Sequence, residues 1–144
     1  MRALTESELH EELKLPSELS TVEAIEAKSD EYARKAGFDE DTASQISMIS
    51  REAAANAVLH GNRKDPNKKI RAKFSLTSEA LTIQVADEGS GFDPSAVPDP
   101  LSPEGLLKPS GRGIFLMRAI MDEVNFRQLS PGTEITLVKY RNQG

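Results

Sequence analysis

The alternation of apolar and polar positions divides the chain into strand-like and helix-like stretches. "LHEELKLPSEL" (9–19) alternates weakly and is cut by Pro16, which predicts a short strand followed by a turn. From Ser17 to Gly37 the period becomes helical, with Val22, Ile25 and Tyr32 on the inner side and Gly37 as the stop. A second helix is expected from near Asp39 to His60, closed by Gly61. "KIRAKFSLT" (69–77) and "ALTIQVADE" (80–88) alternate as strands, and the "SE" between them suits an antiparallel hairpin. "GIFLMRAIMDEV" (113–124) resumes a helical period, and "VNFRQLSPGTEITLVKY" (124–140) closes as a hairpin turning at Pro131-Gly132. The order strand, two helices, two strands, loop, helix, two strands predicts an α+β fold. It is a two-layer sandwich, with helices on one face of a mixed, mostly antiparallel sheet. No internal repeat interrupts this order.

Between the second and third helical stretches, residues 89–110 hold five of the eight prolines and lack an apolar period. They read as a long loop, with a lid over about 93–110. A loop of that length in a small domain is more often functional than idle.

Composition narrows the picture. A length of 144 residues with 38% hydrophobic positions suits one domain, 1–144, with a single core. A net charge of -5 argues against broad binding to nucleic acid or to an anionic membrane, both of which require a basic face. The local basic run "NRKDPNKKIRAK" (62–73) is broken by Asp65 and reads as a solvated loop entering a strand edge. The absence of cysteine excludes disulfides, thiolate metal sites and cysteine nucleophiles. No apolar run approaches the roughly 20 residues of a membrane span, and "MRALTESELHEEL" lacks the apolar centre of a signal peptide, so a cytoplasmic protein is expected.

Three segments carry candidate chemistry. On the helix that carries "ISREAAANAVLHGNRKD" (49–65), Ile46, just before it, Ile49, Ala53 and Ala57 form an apolar stripe at about 100° per residue. Glu52, Asn56 and His60 advance about 40° per step of four and so run along the border of that stripe, while Ser44, Arg51 and Asn62 are expected on the solvent side. Polar groups at a core's edge can line a cleft. They can equally be an i, i+4 pair adding about 0.2–0.5 kcal/mol of helix support, with His60 capping the last carbonyls. In "LTIQVADEGSGFD" (81–93), Asp87 at a strand end can accept from an exocyclic amine, and Gly91 lets a flat ring approach the backbone. An ordinary turn with Asp87 bound to local amides is the alternative. In "KPSGRGIFLMRAI" (108–120), Gly111 and Gly113 precede the first helical turn, where free amides and the helix dipole attract anions. The alternative there is a hinge into a helix packed through Ile114, Leu116 and Met117.

Taken in order, "EAAANAVLHG", "DEGSGFD" and "SGRGIFLM" resemble the N, G1 and G2 boxes of the GHKL (Bergerat-fold) ATPases, a likeness covering roughly residues 10–140. The "HGN" and "FLMRAIMDEV" stretches look most like the anti-sigma-factor serine kinases of bacterial partner-switching systems, and "GTEITL" is similar to the family's Gly-Thr turn beside the nucleotide. The resemblance implies ATP and Mg²⁺ as cofactors. It implies Asn56 as a metal ligand through its carboxamide oxygen, Glu52 as general base and Asp87 as the adenine-reading carboxylate. Gly89, Gly91, Ser110, Gly111, Arg112, Gly113 and Thr133 would complete the nucleotide contacts, and His60 would be a cap or a residue supporting the ligands.

The implied activity is phosphorylation of a serine on a STAS-type anti-anti-sigma factor, by a homodimer that also sequesters a sigma factor or similar regulator. One departure bears on it. Relatives often place a basic residue immediately before the Ser-Gly pair, whereas this chain has Pro109, flanked by Lys108 and Arg112. The second reading is therefore a partner-switch module that holds ATP or ADP without transferring phosphate. A third, a histidine-kinase fragment with His10 of "LHEELKLP" as phosphoacceptor, fails because that box needs a two-helix hairpin and nine residues precede His10.

Overall fold

The computed structural model describes residues 9–62, 65, 67–89 and 109–141, without the side chains of His60 and residues 109–112. Its elements are β1 (Leu9–Pro16), α1 (Leu19–Lys35), α2 (Glu40–Asn56) running into a π-helical turn (Ala57–Gly61), β2 (Lys69–Leu76), β3 (Ala80–Ala86), α3 (Pro109–Ile120), β4 (Glu123–Gln128) and β5 (Thr133–Tyr140). The strands form one sheet in the order β1-β2-β3-β5-β4.

Every described pairing is antiparallel, so the expected mixed character is not found. Two helices between β1 and β2 return the chain in the opposite sense. β3 and β4 run in the same direction, but β5 lies between them and removes the one parallel contact the order would have allowed.

Strand alternation sets the core. Ile70, Ala72, Phe74 and Leu76 of β2 and Leu81, Ile83 and Val85 of β3 are buried against the helices, while Arg71 and Lys73 face solvent. The helical stripes meet them as the sequence predicts, with Val22, Ile25 and Tyr32 of α1 and Ile46, Ile49, Ala53 and Ala57 of the second helix all buried. Tyr32 stacks on Phe74 with centroids 5.3 Å apart, and its hydroxyl donates to Glu11 at 3.1 Å. Burial, followed by the Glu11 carboxylate, pushes the Tyr32 phenol up to about 12.

Local signals fix the helix ends. At the end of α1, Gly37 takes φ +88° and donates to the Arg34 carbonyl at 3.0 Å, while the Phe38 amide reaches the Ala33 carbonyl at 3.3 Å. That is the pair of bonds of a Schellman stop. Asp39 caps α2 by accepting from the Thr42 amide at 2.7 Å, which holds its carboxyl below the usual range.

Two boundaries differ from expectation. α3 begins at Pro109 rather than Gly113, because proline at a first helical position gives up no hydrogen bond, so Pro109 and Ser110 leave the expected loop. It also ends at Ile120. The Ile120 carbonyl accepts from Lys139 Nζ at 2.7 Å, and the Asp122 amide donates to Val138 at 2.9 Å, so "DEV" joins the sheet instead of the helix. On α3, Ile114 and Met117 are buried, but Leu116 is exposed, contrary to the packed helix considered above. His10 lies on a strand with Nδ1 3.0 Å from Ser75 Oγ, not on a phosphoacceptor helix.

Candidate functional site

Glu52 and Asn56 sit on the last two turns of α2, each partly exposed beside the buried Ala53 and Ala57. This is the stripe border that the sequence predicts. The first turns of α3 lie directly against this wall. A Cβ added to the buried Gly113 would come 2.7 Å from Glu52 Cγ and 2.9 Å from Glu52 Oε2, so glycine is what admits α3 here. Gly111 and Gly113 thus lie inside α3 rather than before it, and the amides of its first turn, from Ser110 onward, have no carbonyl partner within the helix.

The helix does not end as an α-helix. Ala57–Gly61 form a π-turn, and the Asn62 amide donates to the Ala57 carbonyl, five residues back, at 2.8 Å. An i+5 bond stacks Asn62 over Ala57 on the buried side. Asn62 is therefore 1% exposed, which corrects its expected place on the solvent side.

Asp87, just past β3, is 8% exposed. Its Oδ1 accepts from the Gly89 amide at 2.9 Å and from the Thr133 amide at 3.3 Å, and its own amide donates to the Thr133 carbonyl at 3.0 Å. Thr133, itself buried, thus ties the Gly-Thr turn of β5 to Asp87. Burial raises the Asp87 carboxyl above its ordinary value, against the opposing pull of the two amides and of Lys68. The second oxygen, Oδ2, faces Gly61, where any Cβ would overlap the carboxylate, and no donor among the described residues bonds it. A Cβ on Gly89 would likewise overlap the Gly61 carbonyl, so the turn after β3 packs backbone to backbone on the end of the second helix.

Glu52, Gly113, Asp87, Gly89 and Thr133 are thereby linked by direct packing, α3 to Glu52, the π-turn to Asp87 and Gly89, and β5 to Asp87, while Asn56 stands one turn after Glu52 on the same helix. Gly91 lies outside the described residues, as do most of the expected lid and the side chains of Ser110, Arg112 and His60. Sequence reasoning missed Asn62 and Glu88. Asn62 Nδ2 donates to the Lys69 carbonyl at 3.0 Å, its Oδ1 accepts from the Glu88 amide at 2.7 Å, and Glu88 Oε1 accepts from the Lys69 amide at 2.6 Å. The available signal was a carboxamide directly after a helix-closing glycine, which helical phase alone assigned to solvent.

The donor set fits a nucleotide with Mg²⁺. Asn56 and Glu52 offer hard oxygen atoms on one wall, and a buried carboxylate oxygen without a described donor suits an amine. Among the described residues no helix is long and apolar enough to cross a membrane.

Residues 15–139 match the histidine kinase-like ATPase domain. The chain is 31% identical over 143 residues to the serine-protein kinase RsbW of Bacillus subtilis (strain 168), covering 91% of this chain and 85% of that protein. It is 29% identical over 136 residues to the serine-protein kinase RsbW of Staphylococcus epidermidis, covering 90% and 85%. Among solved structures it resembles the crystal structure of the RsbU and RsbW domains of a Mycobacterium tuberculosis protein, with TM-score 0.63, 17% identity, and coverage of 94% of this chain and 34% of that one. It also resembles the histidine kinase domain of the Erythrobacter litoralis EL346 blue-light activated histidine kinase, with TM-score 0.57, 17% identity, and coverage of 89% and 62%.

Proposed function

Because the chain belongs to the histidine kinase-like ATPase family, we propose that it is a protein-serine kinase of a bacterial partner-switching system. It takes ATP and Mg²⁺, phosphorylates a serine on a STAS-type anti-anti-sigma factor, and sequesters a sigma factor or similar regulator, as a homodimer in the cytoplasm. The observation that carries this reading is the packing of α3 against Glu52 together with that of the π-turn against Asp87, which gathers the three motif segments around one site.

In this reading Asp87 Oδ2 accepts from the adenine amine while Gly89 and Gly91 leave the backbone open to the ring, with Thr133 alongside. Ser110, Gly111, Arg112 and Gly113 present the first-turn amides of α3 to the phosphates. Asn56 would hold Mg²⁺ through its carboxamide oxygen. When bound, the ion neutralises charge on the phosphate oxygens. Glu52 accepts the proton of the partner's serine hydroxyl, whose oxygen bonds to the γ-phosphorus of the substrate ATP as the bond to ADP breaks.

The test is transfer from γ-labelled ATP to a verified STAS partner. Glu52→Gln keeps the side chain's size but removes proton acceptance, so transfer should fall about 10²–10⁴-fold while ATP still binds. Asn56→Ala should lose Mg²⁺-dependent ATP affinity along with transfer. Undiminished transfer by Glu52→Gln would refute its role as base. Pro109, where relatives often carry a basic residue, favours a second reading, a module that binds ATP or ADP to hold one partner-binding shape. A parent protein that binds ATP and never transfers phosphate would decide for it.

A further inference from the structure

The ring formed by Asn62, Lys69 and Glu88 lies where the sheet should have continued. Two residues beyond the last β2–β3 pair, Arg71↔Ala86, the register sets Lys69 opposite Glu88. The Asp87 backbone turns toward β5, donating to Thr133, so the next residue, Glu88, turns toward β2. The ladder bonds expected between Lys69 and Glu88 are replaced. The Asn62 carboxamide lies between the strands as a peptide group would, donating to the Lys69 carbonyl at 3.0 Å and accepting from the Glu88 amide at 2.7 Å. The Lys69 amide, in turn, is taken by Glu88 Oε1 at 2.6 Å.

We infer that Asn62 and Glu88 are positioning residues: their ring with Lys69 is a clasp that fixes the separation between the phosphate wall of α2 and the adenine-reading turn at Asp87. The inference rests on the nucleotide site proposed above. Asn62 stands six residues after Asn56 along one continuous helical rod, and its side chain bonds the amide next to Asp87. The π-turn is what brings it there, since an α-helical turn would send it outward. An ATP molecule spanning both halves senses their spacing, whereas adenosine uses only the adenine half and tripolyphosphate only the phosphate half. Misplacing positioned groups by about 1 Å can cost about 10²-fold in rate, which sets the scale for a ligand that must be held at both ends.

The experiment uses the full chain and the variants Glu88→Ala, Glu88→Gln and Asn62→Asp, titrated with ATP and Mg²⁺ by calorimetry and with adenosine and tripolyphosphate by NMR. Glu88 is only partly buried, so Glu88→Ala tests the clasp even if the buried Asn62 tolerates no change. Glu88→Ala should weaken ATP by about 10- to 10²-fold and leave adenosine and tripolyphosphate at parental affinity. Glu88→Gln, which keeps the oxygen that accepts from Lys69, should restore ATP affinity. Parental ATP affinity in both Glu88→Ala and Asn62→Asp overturns the clasp, as does an equal loss for ATP and adenosine, which would mean that Asp87 itself is damaged. A parent protein that binds no ATP overturns the nucleotide reading and the clasp with it.

Discussion

Two glycines with positive φ separate backbone strain from damage to the site. Gly37 ends α1 at φ +88° with nothing within 4 Å of where a Cβ would stand. Gly132 turns into β5 at φ +109°, and its Cβ would lie 2.8 Å from the Asp87 carbonyl carbon and 3.1 Å from Glu88 Cα. Gly37→Ala therefore meets only left-handed strain, about 1–2 kcal/mol, partly offset by about 0.4–1 kcal/mol from a stiffer unfolded chain. Gly132→Ala adds a collision with backbone that no side-chain rotation relieves, so about 2–5 kcal/mol in all is expected. An unfolding entropy of about 2.1 cal/mol/K per residue makes 1 kcal/mol worth about 3 °C in a chain of 144 residues. Calorimetric melting should then lose about 0–5 °C for Gly37→Ala and about 6–15 °C for Gly132→Ala. The site should tell them apart as well. Gly37→Ala leaves ATP affinity untouched, whereas Gly132→Ala shifts Asp87 and weakens it. Equal melting losses, or parental ATP affinity in Gly132→Ala, would refute the claim that this turn positions Asp87.

Asp87→Asn should weaken ATP strongly and reduce discrimination against GTP, measured by calorimetry. Because the folded state raises the Asp87 carboxyl, the native protein holds that proton more tightly than the unfolded chain. Stability therefore falls as pH rises from the ordinary value of 3.8 through the folded value, and Asp87→Asn should remove that slope in denaturant titrations. The Tyr32 phenol, pushed up to about 12, favours folding below pH of about 10 and loses that contribution as pH climbs toward 12; Tyr32→Phe should flatten this alkaline decline. Phe74→Ala empties a fully buried position under the Tyr32 ring and should cost about 3–5 kcal/mol, read as a melting point lower by about 9–15 °C.

Much of the fold was legible because burial imposes a period. The stripe of Ile46, Ile49, Ala53 and Ala57, the strands around Phe74 and Ile83, and the stop at Gly37 all follow from side-chain direction or backbone sterics acting within a few residues. What was not legible depends on partners distant in the chain. β5 lies between β3 and β4, which makes the sheet wholly antiparallel, and only that order brings Thr133 within hydrogen-bonding distance of Asp87, 46 residues earlier. The end of α3 is equally remote in cause, since Lys139 caps it and Val138 draws Asp122 into the sheet. Asn62 was misplaced for a different reason. Counting about 100° per residue presumes an unbroken α-helix, and one π-turn rotates every later position without leaving a mark in the apolar pattern.

The nucleotide reading proposed above gives the carboxylate at residue 87 a use that packing does not. Packing alone would favour a neutral group at a position 8% exposed. Yet Oδ1 is met by two amide donors, from Gly89 and Thr133, and Oδ2 lies against Gly61 with no described donor. An asparagine there could keep the first set of bonds, but with its oxygen on those amides it would turn N–H groups to the Gly61 side, where the proposed adenine amine would need an acceptor. An acceptor-only side chain would satisfy the donors already in the fold and leave an oxygen for the amine of the proposed nucleotide. Burial raises the Asp87 carboxyl, and Gly61, the last residue of the π-turn, packs so closely on that carboxylate that no Cβ fits between them.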